Sequence, residues 1–206
     1  KHIPVSIGIV LLMQTVWMGV LLEWFLDKKA PSAQKIISVI IVLIGTALAI
    51  NIFKIDFNDP TIDWSNGLFW GLLAAASFTT TMFTANKVAL GISSAQRSLY
   101  MLLGGAVIVF GFSLYTQVTP FNFEIFTKWG IVLALFGTII PPMLLNAGFP
   151  LTGIGLGSIV SSLELPVSVM MAYFLLNEQV LLIQWIGIVL IITAIVIMNI
   201  QFKKNK

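Results

Sequence analysis

The chain has 206 residues, 58% of them hydrophobic and only 9% charged. Soluble domains carry about a quarter charged residues and cannot hide this much apolar surface, so the composition excludes a soluble globular protein and points to an integral membrane one. A net charge of +3 is no nucleic-acid footprint, and the absence of cysteine excludes disulfide and thiolate chemistry.

A membrane-spanning helix needs about 20 mostly apolar residues. Seven spans are predicted, at 3–26, 35–53, 67–86, 98–117, 129–148, 154–176 and 180–200. The apolar runs are continuous rather than alternating, which argues against a β-barrel. The expected fold is therefore an all-α integral membrane protein, a polytopic bundle of seven transmembrane helices with short connections.

Lysine and arginine set the expected orientation. Lys28, Lys29, Lys35, Lys87, Arg97, Lys203, Lys204 and Lys206 fall on one side, which is taken as cytoplasmic, while Lys1, Lys54 and Lys128 fall opposite. The opposite side also holds Asp56, Asp59, Asp63, Glu124 and Glu178. The C-terminus is then inside and residue 1 outside. The segment "KHIPVSIGIV" has no signal-peptide pattern and begins almost within a span.

Span one carries Gln14 and Trp17 on a shared face, an amide and an aromatic wall for a solute or a helix–helix hydrogen bond and a packing contact. Span three reads "FWGLLAAASFTTTMFTANK". Trp70 and Thr81 share a face there, although threonine hydroxyls usually bond their own helix backbone. Gly104–Gly105 in span four offer a small surface for close helix packing. Span five holds the adjacent Pro141 and Pro142, a hinge expected to kink or break the helix, and Asn146, which would cap the break or touch a solute. Trp24, Trp64, Trp129 and Trp185 lie near span ends as interface anchors.

Span six contains "SSLELPVS". An ionised carboxylate at the bilayer centre costs on the order of 2.5–3.5 kcal/mol, so Glu164 must face protein or water. Projected as one helix, Gly157, Ser161, Glu164 and Ser168 form a single stripe. Pro166 frees the carbonyl of Ser162 and is read as a hinge. Glu164 then lines a cavity, binding a cationic group or carrying a proton. The competing reading is a hydrogen-bonded carboxylate that secures the kink.

Residues 9–41 compare with 159–191 at an offset of 150, which pairs Gln34 with Gln184 and Gln14 with Glu164. The loops "DKKAPS" and "NEQ" have opposite charge character, as an inverted-topology repeat requires.

The segment "GLGSIVSSLELPVSVMMAYFLLNEQVLLIQWIGIVLIITAIVIMN" resembles the closing two helices of an EamA-type domain of the drug/metabolite transporter superfamily. Glu164, Pro166, Glu178, Gln184 and Gly187 fit that pattern. The opening segment resembles the same pair from a first repeat, but Val16 stands where Pro166 does and Lys28 where Glu178 does. The resemblance implies ten spans in two five-helix inverted repeats. Here residues 1–53 would be the last two helices of an incomplete first repeat, 54–66 an external loop and 67–206 a complete second repeat.

No HExxH, Ser/His pair or pair of intramembrane aspartates is present, and the one histidine is His2, so neither an enzyme nor a metal site is expected. There is no P-loop or GxGxxG, hence no cofactor. The expected function is a secondary carrier in the cell membrane (the inner membrane of a bacterium). It would move a small metabolite or amino-acid-like solute, by export as the resemblance implies, and proton coupling would rest on Glu164. The partners are the solute, protons and the bilayer, with no nucleic acid. A non-transporting scaffold or a channel-like protein is the alternative.

Overall fold

A computed structural model describes residues 3–200 apart from 4, 29, 58, 61, 117, 119–122 and 125. Lys1, His2, Lys29 and the tail bearing Lys203, Lys204 and Lys206 lie outside the described residues. The helices are α1 Val5–Leu12, α2 Thr15–Asp27, α3 Ala33–Ala49, α4 Trp64–Lys87, α5 Ser94–Thr116, α6 Ile131–Leu133, α7 Ile140–Thr152, α8 Ile154–Ser161, α9 Glu164–Leu176 and α10 Leu182–Asn199. π-Helical stretches, Phe126–Gly130 and Ala134–Ile139, flank α6. Among the described residues there is no strand. Among the described residues six helical segments are long and apolar enough to cross a membrane, and α3 is a shorter apolar helix of 17 residues. At 1.5 Å per residue α3 spans about 26 Å, near the lower limit for a bilayer core.

Contacts divide the chain into two units, Lys1–Phe83 with Thr152–Lys206, and Thr84–Leu151. The first unit is built on α3 and α10, which run antiparallel. Their crossing is made by missing side chains. A Cβ on Gly45 would stand 2.9 Å from the carbonyl oxygen of Gly187 and 2.8 Å from Ile191, and one on Gly187 would collide with the backbone of Ala49 and Gly45. Nearby, Ser38 Oγ donates to the Ala194 carbonyl at 3.1 Å. Close approach of this kind replaces the hydrophobic drive that is lost inside a bilayer. Val16, Val42, Ile159 and Ala194 fill the adjoining core and are fully buried.

Two glutamines close the ends of this pair. Gln34 Nε2 donates to the carbonyls of Ile197 and Ile200 at the end of α10. Gln184 Nε2 donates to the Ala49 carbonyl at the end of α3 at 3.0 Å, while its Oε1 accepts from Leu181 N at 3.0 Å. The last carbonyls of a helix have no partner within it. In an apolar medium an unmet carbonyl is costly, so the two amides matter more than exposed caps would. Gln34→Leu and Gln184→Leu should each lower stability by about 1–2 kcal/mol, read as a fall in unfolding temperature in neutral detergent.

Predicted spans one and six are each interrupted by a short 3₁₀-like turn, at which the α-helical pairing breaks while the backbone stays right-handed helical (Gln14 φ −61°, Leu163 φ −61°). α1 gives way to α2 at Met13–Gln14, and α8 to α9 at Ser162–Leu163. The breaks share one hydrogen-bond pattern. Gln14 N bonds Leu11 O and Val16 N bonds Met13 O, as Leu163 N bonds Val160 O and Leu165 N bonds Ser162 O. Left-handed caps follow at Lys28 (φ 53°) and Asn177 (φ 53°). Helix starts Val5, Thr15 and Ala33 match Ile154, Glu164 and Leu182 at a constant offset of 149. The same offset exchanges the Ser38–Ala194 contact with the Gly45–Gly187 contact, which is what a two-fold axis normal to the α3–α10 pair produces.

This corrects the predicted register of 150. Glu164 is equivalent to Thr15, and Gln14 to Leu163. It also corrects the role given to Pro166. The equivalent position is Trp17, and the helix breaks there in the same way without a proline. Pro166 is the third residue of α9, where its missing N–H would have had no helical partner, and the Ser162 carbonyl is taken by Leu165 N at 3.3 Å.

In the second unit, Ser93 and Gln96 form a reciprocal capping box at the start of α5, Ser93 Oγ accepting from Gln96 N and Gln96 Oε1 from Ser93 N, both at 3.2 Å. Pro141 and Pro142 do not break their helix. They fall in the first turn of α7, and the backbone ahead of them slips to π-helical pairing, with Ile140 N bonding Leu135 O. Prolines in the first turn of a helix displace few helical hydrogen bonds, because the first N–H groups there have no helical partner.

Candidate functional site

Glu164 opens α9 immediately after the break, and it is exposed. As the acidic residue of the first turn it sits at the positive end of the helix dipole. Among the described residues it makes no hydrogen bond and no ion pair. In a bilayer such a carboxylate must face water or protein that water reaches. The predicted stripe is split by the break. Gly157 is buried, Ser161 is half-buried with its hydroxyl donating to Gly157 O at 2.9 Å, and only Glu164 and Ser168 share an exposed face. The two breaks are unequal, because Thr15, the counterpart of Glu164, is only 2% exposed.

Gln14 and Trp17 do meet, but they satisfy each other. Trp17 Nε1 donates to Gln14 Oε1 at 2.8 Å, and Gln14 Nε2 donates to the Val10 carbonyl at 2.9 Å across the break. The amide therefore stitches α1 to α2 rather than reaching another helix. Trp17 packs against the Val16, Val42 and Ile159 core. On α4, Trp70 is exposed with its ring edge-on to Phe69 at 5.3 Å. Thr81 Oγ1 donates to Ser77 O at 3.3 Å, so this hydroxyl bonds its own helix.

At one end of the first unit the structure shows a site that the sequence reading missed. Glu23 of α2 forms an ion pair with Lys35 of α3. The pair lies on the start of α8, where a Cβ on Gly153 would be 3.0 Å from Glu23 Oε1 and one on Gly155 would strike the same carboxylate and stand 3.2 Å from Lys35 Nζ. Gly153 has φ +81°, a conformation that favours glycine. A carboxylate at a helix N-terminus is further favoured by the dipole. Val20, Asp27 and Ser32 join the pair in lining a cavity of about 290 Å³. The signal lay in a loop of five residues, 28–32, that brings two helices bearing charges of opposite sign side by side, but lysine there reads equally as a membrane-edge anchor.

In the second unit Asn146 caps no helix; it lines a cavity of about 140 Å³ with Thr84, Arg97, Tyr100 and Met101. It is 1% exposed, and its Nδ2 donates to Ser98 Oγ at 2.9 Å and contacts Met101 Sδ at 3.3 Å. Its own carbonyl is the one that Pro150, four residues on, cannot meet. Arg97 meets it with Nη2, and donates with Nη1 to Ala85 O at 2.7 Å and Val88 O at 3.4 Å. Arg97 is thus a buried clamp joining α4, α5 and α7, rather than only a flanking cation. Gly104 and Gly105 have no atom within 4 Å of a would-be Cβ; close approaches fall instead at Gly19, Gly45, Gly67, Gly71, Gly155 and Gly187.

A model of the EamA-like transporter family matches residues 65–200. No curated protein and no solved structure gives a significant match.

Proposed function

We propose, from the premise that the chain belongs to the EamA-like transporter family and is a multi-pass membrane protein, that it works as a secondary carrier by alternating access. The cargo in this reading is a small metabolite or amino-acid-like solute, moved outward across the cell membrane. The observation that carries it is the two-fold relation between the broken pairs α1–α2 and α8–α9. Carriers built on inverted repeats place broken helices at the midplane and bind their cargo between the opposed halves.

Glu164 is the one carboxylate at either break, and in this reading it exchanges a proton against the solute. The lysine-rich end, with Lys28, Lys35 and the C-terminal tail, faces the cytoplasm by the positive-inside rule. Residues 67–206 then form the second repeat and 1–53 the last two helices of the first, with 54–66 as the external connection.

The test is flux in vesicles. Purified protein is reconstituted with an imposed proton gradient and offered a panel of labelled amino acids. Gradient-dependent movement of at least one is expected, with Glu164→Gln losing most of it while keeping the elution profile of the folded protein. Undiminished coupled flux in Glu164→Gln would sink the proton role, and no flux of any solute would favour a scaffold.

A further inference from the structure

We propose that the Glu23–Lys35 pair, seated on the start of α8, is an ionic latch that holds one mouth of the first unit closed and biases the resting state of the carrier. The inference rests on the alternating-access reading above. Three helices converge at the latch, and each contributes something the others need. α2 supplies the carboxylate, α3 the ammonium, and α8 a backbone that comes close only because Gly153 and Gly155 have no side chains. The side chains of Lys35 and Glu23 are 21% and 18% exposed, so water screens the pair less than it would a surface pair.

The two-fold relation supplies the second half of the argument. At the offset of 149, Glu23 corresponds to Ala172 and Lys35 to Gln184. Ala172 has no charge, and Gln184 is committed to the carbonyl of Ala49 and the N–H of Leu181. The two equivalent positions therefore carry no ion pair, and the charged residues at that end, Lys54, Asp56 and Asp59, come from the connection after α3 rather than from the helices related by the two-fold. If both halves exchange conformations during transport, a latch at one mouth stabilises one of the two states over the other. The α2–α8 contact beneath the latch is tight as well, since a Cβ on Gly19 would lie 2.6 Å from Ser158 Oγ, which itself donates to Val16 O at 3.2 Å.

The chain has no native cysteine, so a single introduced thiol reports access cleanly. Val20→Cys lies one helical turn before Glu23, in the wall of the cavity that Glu23 and Lys35 also line, and Val20 is 5% exposed. Val42→Cys, fully buried in the α3 core, reports general loosening. Labelling by a charged maleimide is timed in detergent, without solute. Adding Glu23→Gln or Lys35→Met should speed labelling at position 20 by on the order of fivefold. Raising the salt concentration should speed it in the otherwise native chain, and position 42 should stay unlabelled throughout. An unchanged rate at position 20 in both variants overturns the latch, as does equal acceleration at positions 20 and 42. Neither result bears on solute flux, so the latch can fail while the carrier reading stands.

Discussion

Gly187→Leu should pull α3 and α10 apart and lower the unfolding temperature by about 10 °C. The reason is that a side chain there has nowhere to go. Its Cβ would meet the backbone of Ala49 and Gly45, and backbone cannot swing aside as a side-chain end can. Overpacked cores lose about 1–3 kcal/mol when neighbours can adjust. Here the helices themselves must separate, which also stretches the Ser38–Ala194, Gln34 and Gln184 hydrogen bonds. Gly187→Ala should show the same effect more weakly. Gly104→Ala is the control, because the space beside it is open, and it should be neutral or raise stability by up to about 1 kcal/mol through helix propensity. Equal responses at positions 187 and 104 would refute the crossing as the source of the effect.

Arg97→Leu should cost about 3 kcal/mol or more, and Pro150→Ala should return part of that loss. Removing the guanidinium strands the carbonyls of Ala85, Val88 and Asn146, and a buried unmet polar group costs about 1–3 kcal/mol. The Asn146 carbonyl is stranded only because residue 150 has no N–H. Alanine at 150 restores that donor, so the Arg97→Leu penalty should be smaller by about 1 kcal/mol in the Pro150→Ala background. The comparison needs the four proteins of a double-mutant cycle and their unfolding midpoints. Strict additivity would mean that Arg97 does not act on the carbonyl freed by the proline.

These cases show how far the sequence could be read. Gln34 and Gln184 stood out as amides opening apolar spans, and both cap the partner helix. Glu164 stood out as a mid-span carboxylate, and it lies at a break. The register between the halves was misplaced by one residue, because apolar matches recur at many offsets and a Gln–Glu pairing looked more telling than Thr15 against Glu164. The prolines misled in both directions. Pro166 is not the cause of its break, because Trp17 stands at the equivalent position; Pro141–Pro142 open α7 behind a π-helical stretch instead of breaking a helix, and Pro150, inside α7, is the one whose missing donor matters. A proline removes a donor at a known position, but whether the helix bends depends on who else reaches the stranded carbonyl.

By itself the sequence determined that this protein lives in a bilayer, that it is helical, and which family pattern it follows. Those properties follow from apolar run length and from the need to satisfy every backbone group within the segment. Only the tertiary structure decided which glycines make the helix crossings, that Gln14 and Trp17 satisfy each other, that Glu23 and Lys35 meet over the start of α8, and that Arg97 answers Pro150. Each of these is a contact at one point between separated segments. Hydropathy is uniform along such helices, and so it carries almost no information about where two of them touch.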